Sequence, residues 1–380
     1  MPHVAVIGGG PAGCVTALIL ARAGFAVDLL EQHAFPRDKV CGECLSGLGM
    51  DVLRRAGVAG EIESLNPADL KWSLLHPMEG PTIEVPLPRA SVGISRKQMD
   101  CLLLNAAKRA GATVHQPARC EGVDELDSNN SEWLPRLRWR DLRTNERHTS
   151  NADWIVIADG KGALLPRQTR STRDLGIKTH FTGVNGPRDA IELFAGRGNY
   201  GGLAAIEADQ WNAAFSVPAS LVRENSGDLQ RVFDQVVAAN PALRERVGTA
   251  KRTGPWLASP LPRFAVAHRR ASRVVPVGNA AAALEPVGGE GMGLALRSGE
   301  LAALAIIEAQ ASRSFSPIEN LTREFNQLWQ VRRTVCRGIA MLFSTEYLAN
   351  SLAPLLAANV GIPSAIMRWA GKAEGLLEHS

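Results

Sequence analysis

Cysteine is sparse. Six thiols (Cys14, Cys41, Cys44, Cys101, Cys120 and Cys336) are scattered over 380 residues, far from the density of a disulfide scaffold, so reduced thiols are expected. Cys41-Gly42-Glu43-Cys44 has the spacing of a redox pair but lacks a thioredoxin-like setting. The eight histidines show no pairing at metal-ligand spacing, and no metal is expected. A basic run is also missing: 42 basic against 38 acidic residues give a net charge of +4, which does not suggest a nucleic-acid partner. Arg269, Arg270 and Arg273 come nearest to a cluster and read as a loop before a strand. No apolar segment has membrane-spanning length, and there is no internal repeat. A glycine motif begins within the first few residues, so no signal peptide is expected and a cytoplasmic location is.

What is present begins with the apolar run Val4-Ala5-Val6-Ile7, which leads into Gly8-Gly9-Gly10-Pro11-Ala12-Gly13 and then a helical pattern. A second apolar run, Ala26 to Leu30, ends on Glu31, followed by Gln32. Strand, glycine turn, helix and acid-tipped strand are the arrangement that binds the ADP half of a dinucleotide. Gly8 permits the tight turn, Gly10 lets the backbone approach a pyrophosphate, and Gly13 lets the helix pack against the strand. Glu31 is placed to accept both ribose hydroxyls. Its charge disfavours a 2′-phosphate, so FAD or NAD is expected rather than NADP.

Two later segments repeat the theme of a buried strand ending in small or polar residues. Trp154 to Ile157 runs into Ala158-Asp159-Gly160. Arg273 to Val277 runs into Gly278-Asn279, then Glu285-Pro286-Val287-Gly288-Gly289-Glu290-Gly291-Met292-Gly293 and a long helical pattern. Together the three fit one sheet presenting its C-terminal edge to one ligand. Ser91 to Ala112 reads as a strand and an amphipathic helix. Residues 71–90 and 172–264 show short alternating runs between glycine-rich turns, the texture of antiparallel strands. Gly196-Arg197-Gly198-Asn199-Tyr200-Gly201 also spells a dinucleotide pattern, but its flanks predict a hairpin. From Pro317 onward the pattern is helical.

The fold class expected is therefore α/β: a Rossmann-like nucleotide-binding domain of the glutathione-reductase type, an inserted antiparallel substrate sheet and C-terminal helices. The nucleotide domain is discontinuous, over 1–70, 91–170 and 265–315. The sheet domain covers 71–90 and 171–264, and the helical region 316–380.

In this order the motifs resemble the FAD-dependent monooxygenase superfamily of the aromatic hydroxylase fold, which also contains flavin-dependent halogenases and geranylgeranyl reductases. The resemblance implies that Gly8, Gly10, Pro11, Ala12, Gly13, Glu31 and Gln32 hold the ADP part of a non-covalent FAD. It implies further that Arg96 and Asp159-Gly160 lie near the phosphates, and that Gly278, Asn279, Pro286, Gly289, Gly291 and Met292 serve the ribityl chain and flavin ring. Asn279 departs from the family, which usually has Asp there; an amide oxygen can still accept from a ribityl hydroxyl. The loop Pro36 to Glu43 resembles the segment near the isoalloxazine in the halogenase and geranylgeranyl reductase branch, which makes Cys41 both a cofactor contact and a catalytic candidate.

The implied activity is hydroxylation of an aromatic or polyketide-like hydrophobic small molecule through a flavin C4a-hydroperoxide, with NAD(P)H as a transient electron donor. Lys178 and His180, at alternate positions of one strand, are the candidates for substrate activation. The paired tryptophans of the halogenase signature are absent around Tyr200 to Ile206. A double-bond reductase, a halogenase and a flavoprotein acting on a partner protein remain the alternatives.

Overall fold

The computed structural model describes residues 1–124, 134–160, 164, 174–262 and 273–372. Arg269 and Arg270 of the expected loop lie outside the described residues, as does the expected domain boundary at 170–171. The largely buried runs His3–Ile7, Ala26–Leu30, Trp154–Ile157 and Val274–Pro276 pair side by side in parallel. With Thr113–His115 they make a five-stranded sheet that places His3–Ile7 at its centre. Burial on both faces explains why these strands read as continuous apolar runs rather than alternating ones.

The helices Pro11–Arg22 and Gly291–Ser312 pack against each other. Their approach is close enough that the Thr16 hydroxyl donates to the Gly299 carbonyl at 3.0 Å, and a Cβ on Gly299 would collide with the Ala12 carbonyl. Both helices start at the C-terminal edge of the parallel sheet.

A nine-stranded sheet forms the second layer. Asp174–Thr182, Trp211–Pro218, Tyr200–Ala205 and Ala190–Ala195 run antiparallel in that spatial order, and Ala190–Ala195 then pairs in parallel with Ala68–His76. Ile83–Gly93 and Cys44–Leu45 continue it, so the sheet also recruits chain from the loop after the second parallel strand. Residues 196–199 turn between two antiparallel strands, so the second glycine pattern is a hairpin. Ala118–Asp124, Arg136–Asp141 and Arg147–Asn151 make a separate three-stranded sheet.

Helices Ser316–Ser344, Glu346–Ala358 and Gly361–Met367 close one side of the nine-stranded sheet. The hairpin turn fastens them: Gly196 N–H donates to Phe343 O at 3.1 Å and Gly198 N–H to Ser344 O at 2.9 Å. Arg197 forks onto Glu346 at 2.7 and 3.0 Å. No helix among the described residues is long and apolar enough to cross a membrane.

Candidate active site

The first turn is built as its glycines require. Gly8 takes φ +113°, and a Cβ there would collide with the Ala158 carbonyl; one on Gly13 would collide with the Gly8 carbonyl. These two residues set the turn and the helix packing without lining the cavity. Gly10 does line it, as do Pro11 and Ala12. The helix beginning at Pro11 has Gly10 as N-cap and no side-chain cap, which leaves its first N–H groups available to an anion.

Glu31 is buried, and its carboxylate accepts from Gly9 N–H and His33 N–H, both at 2.8 Å. It is therefore fixed at the tip of its strand, with each oxygen retaining a further lone pair. Gln32 is exposed, and neither it nor Asp159 lines the cavity. Asp159 accepts from Leu164 N–H at 3.2 Å, while Gly160, at φ +70°, forms part of the wall.

The third segment approaches from the other side. Gly278 and Gly289 take φ +59° and +63° in two short 3-10 turns, and both line the cavity with Asn279, Pro286, Gly291 and Met292. A Cβ on Gly291 would meet no protein atom within 4 Å. This first residue of a long helix, without a side-chain cap, thus faces open volume.

Between these segments lies a cationic group that sequence reading only half found. Arg96 is buried and clasps Asp100 at 2.7 and 2.6 Å, and it lines the cavity together with Cys41. Arg37 reaches Glu31 at 3.6 Å and Asp100 at 3.4 Å. Lys39, which lines the cavity, was not singled out as a site residue. Its desolvation beside Arg96 and Arg37 pulls its ammonium down to about 8. A cation held in that condition would be relieved by an anion in the cavity.

Lys178 and His180 share one strand face, as alternation requires, but neither side chain lines the cavity. Both reach beneath the Cys41 loop to Glu43, a residue sequence reading passed over. Lys178 Nζ stands 2.5 Å from Glu43 Oε1 and His180 Nε2 stands 2.7 Å from Oε2; Arg96 N–H donates to Oε1 at 2.8 Å. Burial would raise the Glu43 carboxyl, but the His180 hydrogen bond and the Lys178 charge together hold it below its ordinary value. Asp38, Glu43 and His180 bring potential metal ligands together. The Lys178 ammonium, 2.5 Å from Glu43 and 3.7 Å from Asp38, is already the cation between these carboxylates. Glu43 itself takes φ +56°, in the left-handed region. The signal for this hub was Glu43 two residues after Cys41, opposite an alternating Lys-x-His.

The nine-stranded sheet supplies the remaining wall with small and apolar residues, among them Gly176, Leu193, Gly202, Ala204 and Ala214, around a cavity of about 250 Å³. Polar side chains interrupt it at Tyr200 and Ser216 on the sheet and at Glu285 beside them. The Tyr200 hydroxyl donates to Glu285 at 3.0 Å, and burial pushes both groups up. Neither was singled out from sequence, because a lone Tyr and a lone Glu in glycine-rich segments carry no spacing signal. Cys41 is half-buried in the cavity wall.

Two uncapped helix N-termini, a glycine whose missing Cβ leaves open space and a desolvated lysine beside two arginines fit the diphosphate and ring of FAD. A family model described as "FAD binding domain" matches residues 1–312. Conditioned medium factor receptor 1 of Dictyostelium discoideum is 27% identical over 350 residues, covering 87% of this chain and 67% of that one. Kynurenine 3-monooxygenase of Stenotrophomonas maltophilia is 30% identical over 191 residues, 47% of this chain and only 40% of that protein. Among solved structures, the flavin-dependent brominase Bmp2 superposes with a TM-score of 0.79 at 18% identity, covering 97% of this chain and 94% of the other. A geranylgeranyl bacteriochlorophyll reductase-like protein from Thermoplasma acidophilum also reaches 0.79, at 17% identity and 97% and 96% coverage. The chain belongs to the FAD binding domain family and is an FAD-dependent oxidoreductase of the flavin monooxygenase and halogenase group.

Proposed function

We propose that this protein is a monooxygenase that uses NAD(P)H and O₂ to hydroxylate an aromatic or otherwise hydrophobic small molecule, with FAD held non-covalently. The observation that carries the reading is the apolar sheet wall directly facing the Gly289–Met292 segment across one cavity. When bound, FAD supplies the electron transfer and oxygen activation. The chain's own residues do the rest. Leu193, Ala204 and Ala214 exclude water from the reacting face, and the Tyr200–Glu285 pair offers a polar anchor for a substrate hydroxyl on that side. Amides opening the helix Gly291–Ser312 favour negative charge where it would develop. Residues 71–90 and 171–264 then act as substrate wall, 1–70, 91–170 and 265–315 as cofactor domain, and 316–380 as the cap.

A double-bond reductase is the second reading, favoured by the Cys41 thiol in the cavity wall next to Arg96. One experiment separates the two. Candidate aromatics are screened for accelerated NAD(P)H oxidation under ¹⁸O₂, and products are weighed by mass spectrometry. Incorporation of one labelled oxygen supports hydroxylation; a product heavier by two hydrogens, without label, overturns it in favour of reduction.

A further inference from the structure

A second cavity, of about 50 Å³, lies between the nine-stranded sheet and the C-terminal helices. Its walls come from three places: Leu75 and Ile83 on the sheet, Leu342 and Phe343 at the end of the helix Ser316–Ser344, and Leu356 and Met367 on the two helices that follow. None of its lining residues carries a charge. One water needs roughly 10–15 Å³ and two to four polar partners, so this space has room for several waters and nothing to hold them.

Leu193 and Val287 line both this cavity and the larger one. The alternation of Ala190–Ala195 explains Leu193: Ile191 and Leu193 point to the cavity face, while Glu192 points to the other, where it meets His76 and Arg246. Val287 sits in the 3-10 turn two residues before Gly289, in the segment that faces the open volume of the main site. The two spaces thus meet at two apolar side chains.

We infer that the second cavity is an alkyl subsite: the substrate carries an unbranched aliphatic chain that runs from the main cavity past Leu193 and Val287 and ends beneath the C-terminal helices. The inference rests on the proposed hydrophobic substrate and narrows it to a head with a tail. The head occupies the main cavity, near Tyr200 and Glu285, and the tail is recognised by length alone, since its walls offer only dispersion and desolvation.

The test uses the FAD-loaded protein and a series of 4-n-alkylphenols from methyl to nonyl, with binding measured by calorimetry. Affinity should rise about fourfold for each methylene that leaves water, then level off once the subsite is full. Ala349→Leu places three more carbon atoms into the cavity and should bring the plateau to a shorter chain. Leu356→Ala enlarges it and should extend the plateau to a longer one; FAD content of each variant serves as the folding control. A length profile that moves in opposite directions in the two variants supports the subsite. A profile that neither variant moves, or the absence of binding across the whole series, overturns it. Mass spectrometry of the same mixtures with NAD(P)H and ¹⁸O₂ reads the proposed reaction separately: length-dependent binding without labelled product keeps the subsite and counts against hydroxylation.

Discussion

Tyr200 and Glu285 form a hydrogen-bonded pair inside the cavity, phenol donating to carboxylate at 3.0 Å across 85 residues of sequence. Burial raises the Glu285 carboxyl and the Tyr200 hydrogen bond pulls it back down. Tyr200→Phe deletes only the donor. Glu285 should then titrate at higher pH than in the wild type, as read by ¹³C NMR of glutamate-labelled protein, and an unmoved titration would show that the two groups are not coupled.

Lys39 should gain a proton when FAD binds. Its ammonium is held at about 8 by desolvation and by Arg96 and Arg37, and a diphosphate favours the charged form. Calorimetry near pH 8 to 9 in buffers of different ionisation enthalpy should therefore show proton uptake on FAD binding. Lys39→Met should abolish that uptake and weaken FAD. Binding with no net proton change in the wild type would remove Lys39 from the phosphate site.

Glu43→Gln should destabilise the protein by about 3–5 kcal/mol, because it leaves the Lys178 ammonium buried against a neutral amide. Adding Lys178→Met should recover part of the loss. Denaturant unfolding of the single and double variants checks both statements. The same hub predicts acid sensitivity. The Glu43 carboxyl is depressed in the folded state, so the stability it contributes is present above its ordinary value of 4.5 and is lost as pH falls below that through its folded pKa. A Glu43→Gln variant should be flatter than wild type over that window.

Gly291→Val should fold normally yet bind little FAD. A Cβ there meets no protein atom within 4 Å beyond its own chain neighbours and helix backbone, so the fold should tolerate the substitution, and the loss should show in FAD content while the apo-protein melts as wild type. Gly186→Val is the contrasting case: its Cβ would stand 2.7 Å from Glu192 Oε2 and 3.1 Å from Trp211, so it should depress the melting temperature. Normal FAD content in Gly291→Val would contradict the placement of residues 278–293 beside the flavin.

The cofactor half of this site was legible because its chemistry is local. Gly8 and Gly278 declare backbone conformations that favour a single residue type, Gly13 declares a close approach that a side chain would block, and Glu31 announces a strand tip by following an apolar run. Lys178 and His180 were legible as a pair on one face, yet their target was not. Period-two alternation says that two side chains point the same way and is silent about the acid that a loop 135 residues earlier brings underneath. Lys39, Tyr200 and Glu285 were harder still. Each matters through burial and a partner from another element, neither of which leaves a spacing in the chain.

The fastening of the hairpin turn to the end of the helix Ser316–Ser344 has a kinetic meaning. Swinging the C-terminal helices away must break both backbone bonds, from Gly196 and Gly198, together with the Arg197–Glu346 fork. The helices therefore form a roof tied to the hairpin turn, and lifting it opens that turn at the same time. The Gly196 and Gly198 amides are accordingly built-in clocks: their exchange with deuterium is gated by lifting of the roof, and a ligand seated beneath it should slow that exchange at both positions together.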